Sequence, residues 1–113
     1  ALGDTIGVSN HENITKLFTG LMSELPEVEF GAHLHSTPDS VQEKVAAAYE
    51  AGCRRFDGAI KGFGGCPMAT DDLTGNMPTE GMLSYFKANN IGTNIDEEKF
   101  IDSMTMALNV FPK

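Results

Sequence analysis

The alternation of short apolar strands with amphipathic helices is the feature that most constrains the fold. The order is strand, helix, strand, helix, strand, loop, helix, helix over 113 residues. Repeated β-α units imply parallel strands joined by right-handed crossovers. Three strands cannot close a barrel, and a complete (β/α)8 barrel takes roughly 250 residues. We therefore expect an α/β chain that is the second part of something larger, either a fragment or a chain whose partner covers its open strand edges.

The helices are predicted from their apolar spacing. Ser9 and Glu12 have the spacing of a capping box at the start of the first helix, and Pro26 marks its end. Between them, apolar residues recur along one face of a 3.6-residue period: Ile14, Leu17, Phe18, Leu21, Met22 and Leu25. Further helices are predicted over residues 37–52, 78–90 and 96–110.

The strands are shorter and are predicted from alternation. In the stretch "EVEFGAHLHS", residues 27–36, every second residue is apolar. This alternation predicts a strand with Val28, Phe30, Ala32 and Leu34 on one face and with Glu29, Gly31, His33 and His35 on the other. Residues 1–8 are interpreted as a strand end followed by a loop, and residues 53–60 as another short strand.

Charge and composition exclude some partners. The formal net charge is −8, and the longest basic run is the pair Arg54-Arg55, which argues against a nucleic-acid or anionic-membrane surface. No apolar run approaches the roughly 20 residues of a membrane span, and "ALGDTIGVSN" lacks the features of a signal peptide. With two cysteines and no CxxC motif, we expect reduced thiols and a cytoplasmic location.

Residues able to do chemistry fall at the predicted C-terminal ends of strands. They are Asp4, His33, His35, Asp57 and Cys66, and in parallel β/α folds this edge is where sites are built. His33 and His35 are two residues apart on one strand, so both imidazoles point to the same side, which is the spacing of a metal-binding pair. Two histidines hydrogen-bonded to their neighbours are the alternative, and the adjacent Asp4 favours a metal.

The stretch "FGGCPMATDDLTGN", residues 63–76, is predicted to be a loop that carries a thiol. Cys66 follows two glycines and precedes a proline, so its thiol could act as an acid, a base or a nucleophile. The Asn76 oxygen could complete a site for a hard cation, although an asparagine after glycine is commonly a turn residue. Cys53 opens a strand and is expected to be a buried structural thiol; a Cys53–Cys66 disulfide is the weaker alternative.

Together, these motifs resemble those of the 3-hydroxy-3-methylglutaryl-CoA lyases. The matching segments are "GDTIG" at 3–7, "HLH" at 33–35, and "GFGGCPMA…GN" at 62–76 with "TE" at 79–80. The resemblance implies a metallolyase with a TIM (β/α)8 barrel, of which residues 1–113 form the C-terminal part, about three β/α units plus terminal helices. It also implies Mg2+ or Mn2+ as cofactor and an acyl-CoA substrate that is cleaved to acetoacetate and acetyl-CoA.

The resemblance also implies roles for single residues. His33, His35 and Asn76 match the family's metal ligands, Cys66 matches the catalytic loop cysteine, and Asp4 matches an aspartate needed for activity. The proton acceptor in the family is the histidine that matches His33 or an aspartate. An arginine-aspartate pair of the family belongs to the earlier half of the barrel, so the metal site of this chain alone is expected to be incomplete.

Three other functions remain open at this point. A related metal-dependent aldol or Claisen enzyme could use another acyl-CoA or keto-acid. The chain could instead be a non-catalytic fragment that self-associates through its open strands, or it could await the N-terminal half of the barrel. A Cys-His hydrolase is the least favoured, because nothing in the sequence marks an oxyanion hole.

Overall fold

The computed structural model describes residues 1–4, 7–64 and 75–110. Within them, helices follow strands in the predicted order, and two additional short strands pair with each other. The elements are β1 (Leu2–Gly3), α1 (His11–Glu24), β2 (Gly31–His33), β3 (His35–Ser36), α2 (Val41–Glu50), β4 (Arg55–Phe56), a 3-10 turn (Ile60–Gly62), β5 (Gly75–Asn76), α3 (Thr79–Ala88) and α4 (Glu97–Val110).

A parallel sheet aligns the strand ends. Its strands lie in the order β1-β2-β4, and both pairings are parallel, as the β-α alternation predicts. Gly3 lies opposite His33, and Ala32 lies opposite Phe56. The backbone N–H of Asp4 donates to the His33 carbonyl (3.1 Å), and that of Asp57 donates to the Ala32 carbonyl (2.9 Å). The C-terminal ends of the three strands therefore meet along one edge.

The predicted strand over residues 27–36 is shorter than expected and divides in two. β2 begins only at Gly31, so Val28 lies outside the strand, with 46% of its surface exposed. Beyond Leu34, β3 leaves the parallel sheet and pairs antiparallel with β5. This pairing, which the sequence did not predict, places Asn76 opposite His35.

Helices α1 and α2 cover the core beside this sheet. Of the apolar residues predicted to line one face of α1, Ile14 and Phe18 are buried, whereas Leu17 and Leu25 are about half exposed (49% and 41%). The α1 capping box uses Asn10 and Asn13 rather than the predicted Ser9 and Glu12. The remaining members of the buried cluster come from β2, α2 and the segments around β4, β5 and α3: Ala32, Leu34, Val41, Val45, Ala47, Ala48, Cys53, Met77 and Met82.

Two further expectations concern Cys53 and the membrane. Cys53 is a fully buried free thiol, as predicted, and burial raises its pKa. Its Sγ lies 3.1 Å from the Arg55 carbonyl oxygen. In the described part of the chain, no helix combines the length and the apolar character needed to cross a membrane.

Candidate metal centre

The strand edge brings together four of the predicted residues. Asp4 follows β1, His33 ends β2, His35 begins β3 and Asp57 follows β4. The His33 and His35 rings lie with their centroids 5.6 Å apart and their planes at 68°. The two histidines that alternation placed on one face therefore do lie side by side.

Each imidazole is oriented by a hydrogen bond through Nδ1. In His35, Nδ1 lies 2.8 Å from the backbone carbonyl oxygen of Asp4. In His33, Nδ1 lies 3.0 Å from Oδ2 of Asp57. A carbonyl and an ionised carboxylate can only accept, so both Nδ1 atoms carry the hydrogen. The lone pair of each neutral ring then sits on Nε2, which is the arrangement of histidines that bind metal ions.

Asn76 adds an oxygen beside this pair. It lies opposite His35 in the β3–β5 pairing, and its Nδ2 donates to the Phe63 carbonyl at 2.8 Å. Because that bond uses the amide nitrogen, it fixes the plane of the amide, whose Oδ1 is the atom that could bind a cation. The side chain is partly buried, so its orientation is set by packing as well as by this bond.

Glycines make room for Asn76. A Cβ on Gly64, where φ is +89°, would lie 2.8 Å from Asn76 Nδ2, and a Cβ on Gly62 would lie 2.8 Å from the Asn76 backbone oxygen. A Cβ on Gly75 would likewise lie 2.8 Å from the Gly62 carbonyl oxygen and 3.2 Å from the Gly64 carbonyl oxygen. The two ends of the glycine-cysteine loop are thus adjacent and meet beside Asn76. Cys66 itself lies outside the described residues, as do Asp71 and Asp72.

The donor set fits a divalent cation. Two imidazole nitrogens and an amide oxygen are ligands of Mn2+ and Mg2+, and the imidazoles favour Mn2+. All three groups have an orienting partner, as metal ligands in proteins usually do. Within residues 1–4, 7–64 and 75–110, no group of three or more His, Cys, Asp or Glu side chains could hold a metal ion. A cation held by His33, His35 and Asn76 would therefore need further ligands.

The Asp4 carboxylate faces its own loop. The backbone N–H groups of Val8 and Ser9 donate to it at 3.0 Å each, and the Ser9 hydroxyl makes a further short contact. The Lys44 ammonium lies 3.4 Å from Oδ2. Burial alone would raise the pKa of Asp4, but the Ser9 hydrogen bonds, the Lys44 charge and the Val8 bond outweigh it and lower the pKa. Asp4 is therefore held as a carboxylate within this turn, and its backbone oxygen orients His35.

Sequence reasoning missed Lys44. Its side chain is 5% exposed, and its ammonium donates to the His35 and Gly7 carbonyls as well as to Asp4. A signal was present, because Lys44 lies between Val41 and Val45 on the apolar face of α2. A lysine at a core-facing position needs buried acceptors.

Comparisons with known proteins identify the family. The HMGL-like family model matches residues 1–106, which is nearly the whole chain and includes every predicted site residue. The chain belongs to the HMGL-like family.

Two curated relatives of this HMGL-like chain are named as lyases. It is 31% identical to the hydroxymethylglutaryl-CoA lyase YngG of Bacillus subtilis over 103 residues, 91% of the chain and 34% of that protein. It is 33% identical to an (R)-citramalyl-CoA lyase of Chloroflexus aurantiacus over 95 residues, 84% of the chain and 30% of that protein. The chain thus spans about a third of the length of these curated relatives.

A solved structure of an HMG-CoA lyase from Acinetobacter baumannii, in complex with coenzyme A and 3-methylmalate, has the same fold over this segment. The TM-score is 0.83 at 32% identity, covering 96% of the HMGL-like chain and 35% of the solved one. The family resemblance predicted from the motifs is confirmed. The mixed α/β arrangement agrees with part of the fold of such an enzyme.

Proposed function

We propose that this chain supplies part of the active site of a metal-dependent carbon–carbon lyase whose leading substrate is 3-hydroxy-3-methylglutaryl-CoA. Residues 1–113 form one part of a single catalytic domain, the C-terminal part of a (β/α)8 barrel. The observation that carries the proposal is the pair His33 and His35, in which each Nδ1 is bonded to an acceptor, so that Nε2 is the atom of each ring able to bind a cation. The proposed products are acetoacetate and acetyl-CoA.

The reaction moves two protons and one electron pair. The tertiary hydroxyl loses its proton, and its oxygen becomes the ketone of acetoacetate. The electron pair of the broken carbon–carbon bond passes to the acetyl-CoA enolate, which is then protonated at carbon. A bound divalent cation supplies stabilisation of negative charge on oxygen. The chain's residues bind that cation and place the proton donor, and the remaining part of the complete enzyme supplies the proton acceptor.

The histidines and Asn76 have the binding role. His35 is buried and fixed at its ring and its backbone, so it serves as a ligand through Nε2. His33 is more exposed, at 49% of its side chain, and has one lone pair once Nδ1 is bonded to Asp57. That lone pair can bind the cation or accept the hydroxyl proton, but not both at once. We assign it to the cation, so the hydroxyl proton passes to a carboxylate supplied by the remaining part of the complete enzyme.

Cys66 is the proposed donor of the proton to carbon. A thiol can donate its proton to an enolate carbon, which is the second proton transfer that this reaction requires. The support from the described residues is the position of the loop ends, which meet beside Asn76. The short Asp4–Lys44 network has a holding role instead, because the carboxylate is already engaged by Val8, Ser9 and Lys44.

A second acyl-CoA substrate is favoured by one observation. The relative from Chloroflexus aurantiacus is named (R)-citramalyl-CoA lyase and is as similar to this chain as the hydroxymethylglutaryl-CoA lyase is. Both names describe lyases of CoA thioesters. The alternative substrate is therefore a related 3-hydroxyacyl-CoA cleaved by the same chemistry. We place the enzyme in the cytoplasm, where a free thiol such as Cys53 stays reduced.

The test uses the complete enzyme that contains this chain. We expect Mn2+-dependent release of acetoacetate from hydroxymethylglutaryl-CoA; cleavage of citramalyl-CoA alone would select the second substrate. Condensation with acetyl-CoA and no cleavage of either thioester would refute a lyase. The 113-residue chain alone should show no significant turnover, because its three proposed ligands do not complete a site.

Paired variants test the assigned residues. Cys66→Ser should lower the cleavage rate by at least about 100-fold while Mn2+ binding is retained, whereas Cys53→Ala, at the buried cysteine, should leave the rate per folded enzyme near the wild-type rate. His35→Ala should weaken Mn2+ binding, with His11→Ala, at an exposed position, as the control. An unchanged rate in Cys66→Ser would exclude the thiol as the proton donor.

A further inference from the structure

Lys44 is a buried cation joined to two parts of the candidate metal centre. It lies on α2 between residues of the apolar core, and 4% of its surface is exposed. Its Nζ lies 2.7 Å from the His35 carbonyl oxygen, 3.3 Å from the Gly7 carbonyl oxygen and 3.4 Å from Oδ2 of Asp4. All three acceptors belong to the segments that carry the site.

These contacts form a closed triangle. Lys44 binds the Asp4 side chain, the Asp4 backbone carbonyl accepts from the His35 ring, and the His35 backbone carbonyl accepts from Lys44. The His35 ring is therefore constrained from two directions, through its own backbone and through Asp4. Loss of the ammonium would release both constraints at once.

Core packing alone does not account for a lysine here. Removing an ammonium from water is costly, and an apolar side chain of similar volume at a buried position is often neutral or stabilising by comparison. The neighbours Val41, Val45 and Ala48 show what α2 uses where packing is the only requirement. The Lys44 ammonium instead contacts groups outside the helix, and these contacts hold the turn after β1, through Asp4 and Gly7, against His35 at the start of β3.

We propose that Lys44 is a positioning residue of the metal centre: its ammonium fixes Asp4 and the His35 backbone together and so sets the orientation of the His35 imidazole. This inference rests on the proposed function for the role of His35 as a ligand. The hydrogen bonding of the His35 ring can nevertheless be measured without metal, so the two proposals can fail separately.

The experiment compares Lys44→Met with Lys16→Met in the complete enzyme. Both variants remove a helical lysine that pairs with a carboxylate, but Lys16 is exposed and pairs with Glu12 on the same helix. Two quantities are measured under conditions where the variants are folded. One is the Mn2+ dissociation constant by calorimetry, and the other is the tautomer of His35 in metal-free protein, from long-range 1H–15N NMR of histidine-labelled samples.

For Lys44→Met we expect the Mn2+ dissociation constant to rise about tenfold, the lower end of the range for residues that orient metal ligands. The metal-free His35 ring should change from the Nδ1–H tautomer to a mixture. Lys16→Met should change neither quantity, and Lys44→Arg, which keeps the charge, should stay closer to wild type than Lys44→Met. If Lys44→Met does not fold, Lys44→Gln, which keeps an uncharged donor, undergoes the same two measurements.

Two outcomes separate the proposals. A folded Lys44→Met enzyme that is less stable but keeps the wild-type Mn2+ affinity and His35 tautomer would overturn the positioning role and leave Lys44 a structural residue. A wild-type enzyme that neither binds Mn2+ nor cleaves hydroxymethylglutaryl-CoA would overturn the proposed function. In that second case, a change of the His35 tautomer in Lys44→Met would still support the positioning role.

Discussion

Asp57 offers a direct test of how this site orients its ligands. Its Oδ2 accepts from Nδ1 of His33 at 3.0 Å. Asp57→Ala removes the acceptor, and Asp57→Asn keeps an acceptor oxygen but removes the charge. If His33 binds the cation through Nε2, both changes should act on metal affinity without altering the set of ligands.

The size of the effect follows from the exposure of the pair. Loss of a partner that orients a metal-binding histidine typically costs 10- to 100-fold in affinity or activity. Here the His33 and Asp57 side chains are 49% and 38% exposed, so water can replace much of the lost contact. We therefore expect Asp57→Ala to weaken Mn2+ binding by the lower limit of that range, about tenfold in the dissociation constant or about 1.4 kcal/mol in binding free energy. Asp57→Asn should weaken Mn2+ binding less than Asp57→Ala does, since an amide oxygen can still accept a hydrogen bond from Nδ1 of His33.

The assay is a Mn2+ titration of the complete enzyme by calorimetry, combined with cleavage rates at saturating Mn2+. Asp102→Ala is the matched control, because it removes the same charge from an exposed position on α4. At saturating Mn2+ the cleavage rate of Asp57→Ala should be close to that of the wild type, because the variant site is then occupied. If Asp57→Ala binds Mn2+ within twofold of wild type, the hydrogen bond does not orient a ligand, and the assignment of His33 to the cation loses its support.

Three further predictions concern the surroundings of the site. Gly64→Ala should weaken Mn2+ binding, measured by the same titration, because φ of +89° disfavours alanine and its Cβ would lie 2.8 Å from Asn76 Nδ2; Gly20→Ala, with nothing within 4 Å of the added Cβ, should not. Asn10→Ala should lower the free energy of unfolding by about 1 kcal/mol in urea titrations through loss of the α1 capping box. The lowered pKa of Asp4 adds to the free energy of unfolding at pH values above its ordinary value of 3.8, and this contribution is lost as the pH falls through the folded-state pKa. Asp4→Asn removes the titrating group, so its free energy of unfolding, measured by urea titration, should fall less than that of the wild type between neutral pH and about pH 3.

Local patterns predicted the parts of the fold that depend on local periodicity. The apolar faces of α1 and α2, the parallel strands and the row of residues at the strand ends follow from spacings of two to four residues. The pairing of β3 with β5 does not, because it joins residues about 40 positions apart in two-residue strands. The exposure of Val28 has a similar origin, since alternation does not reveal where hydrogen bonding to β1 begins.

In the candidate site, too, the features set by local spacing were predicted and those set by long-range contacts were not. The HxH spacing was enough to predict that the two imidazoles lie side by side. The predicted loop over residues 63–76 ends in strand β5, and residues 65–74 of it lie outside the described part of the chain. The partners of those residues required three dimensions: Asp57 for His33, the Asp4 backbone for His35, and the Phe63 carbonyl for Asn76. Lys44 was missed because the helical pattern predicts an apolar position there and says nothing about acceptors on other segments.

These partners imply that orientation and affinity have different sources in this family member. All three proposed ligands are oriented by groups within the described part of the chain, so their geometry is set locally. Their number is too small for the six or so ligands of Mg2+ or Mn2+, so affinity depends on groups supplied from elsewhere, including substrate and water. Changes at Asp57 or Lys44 should therefore alter affinity in steps of about tenfold, whereas loss of the ligands supplied from elsewhere should abolish measurable binding. A complete enzyme in which both kinds of change had equal effects would contradict this division.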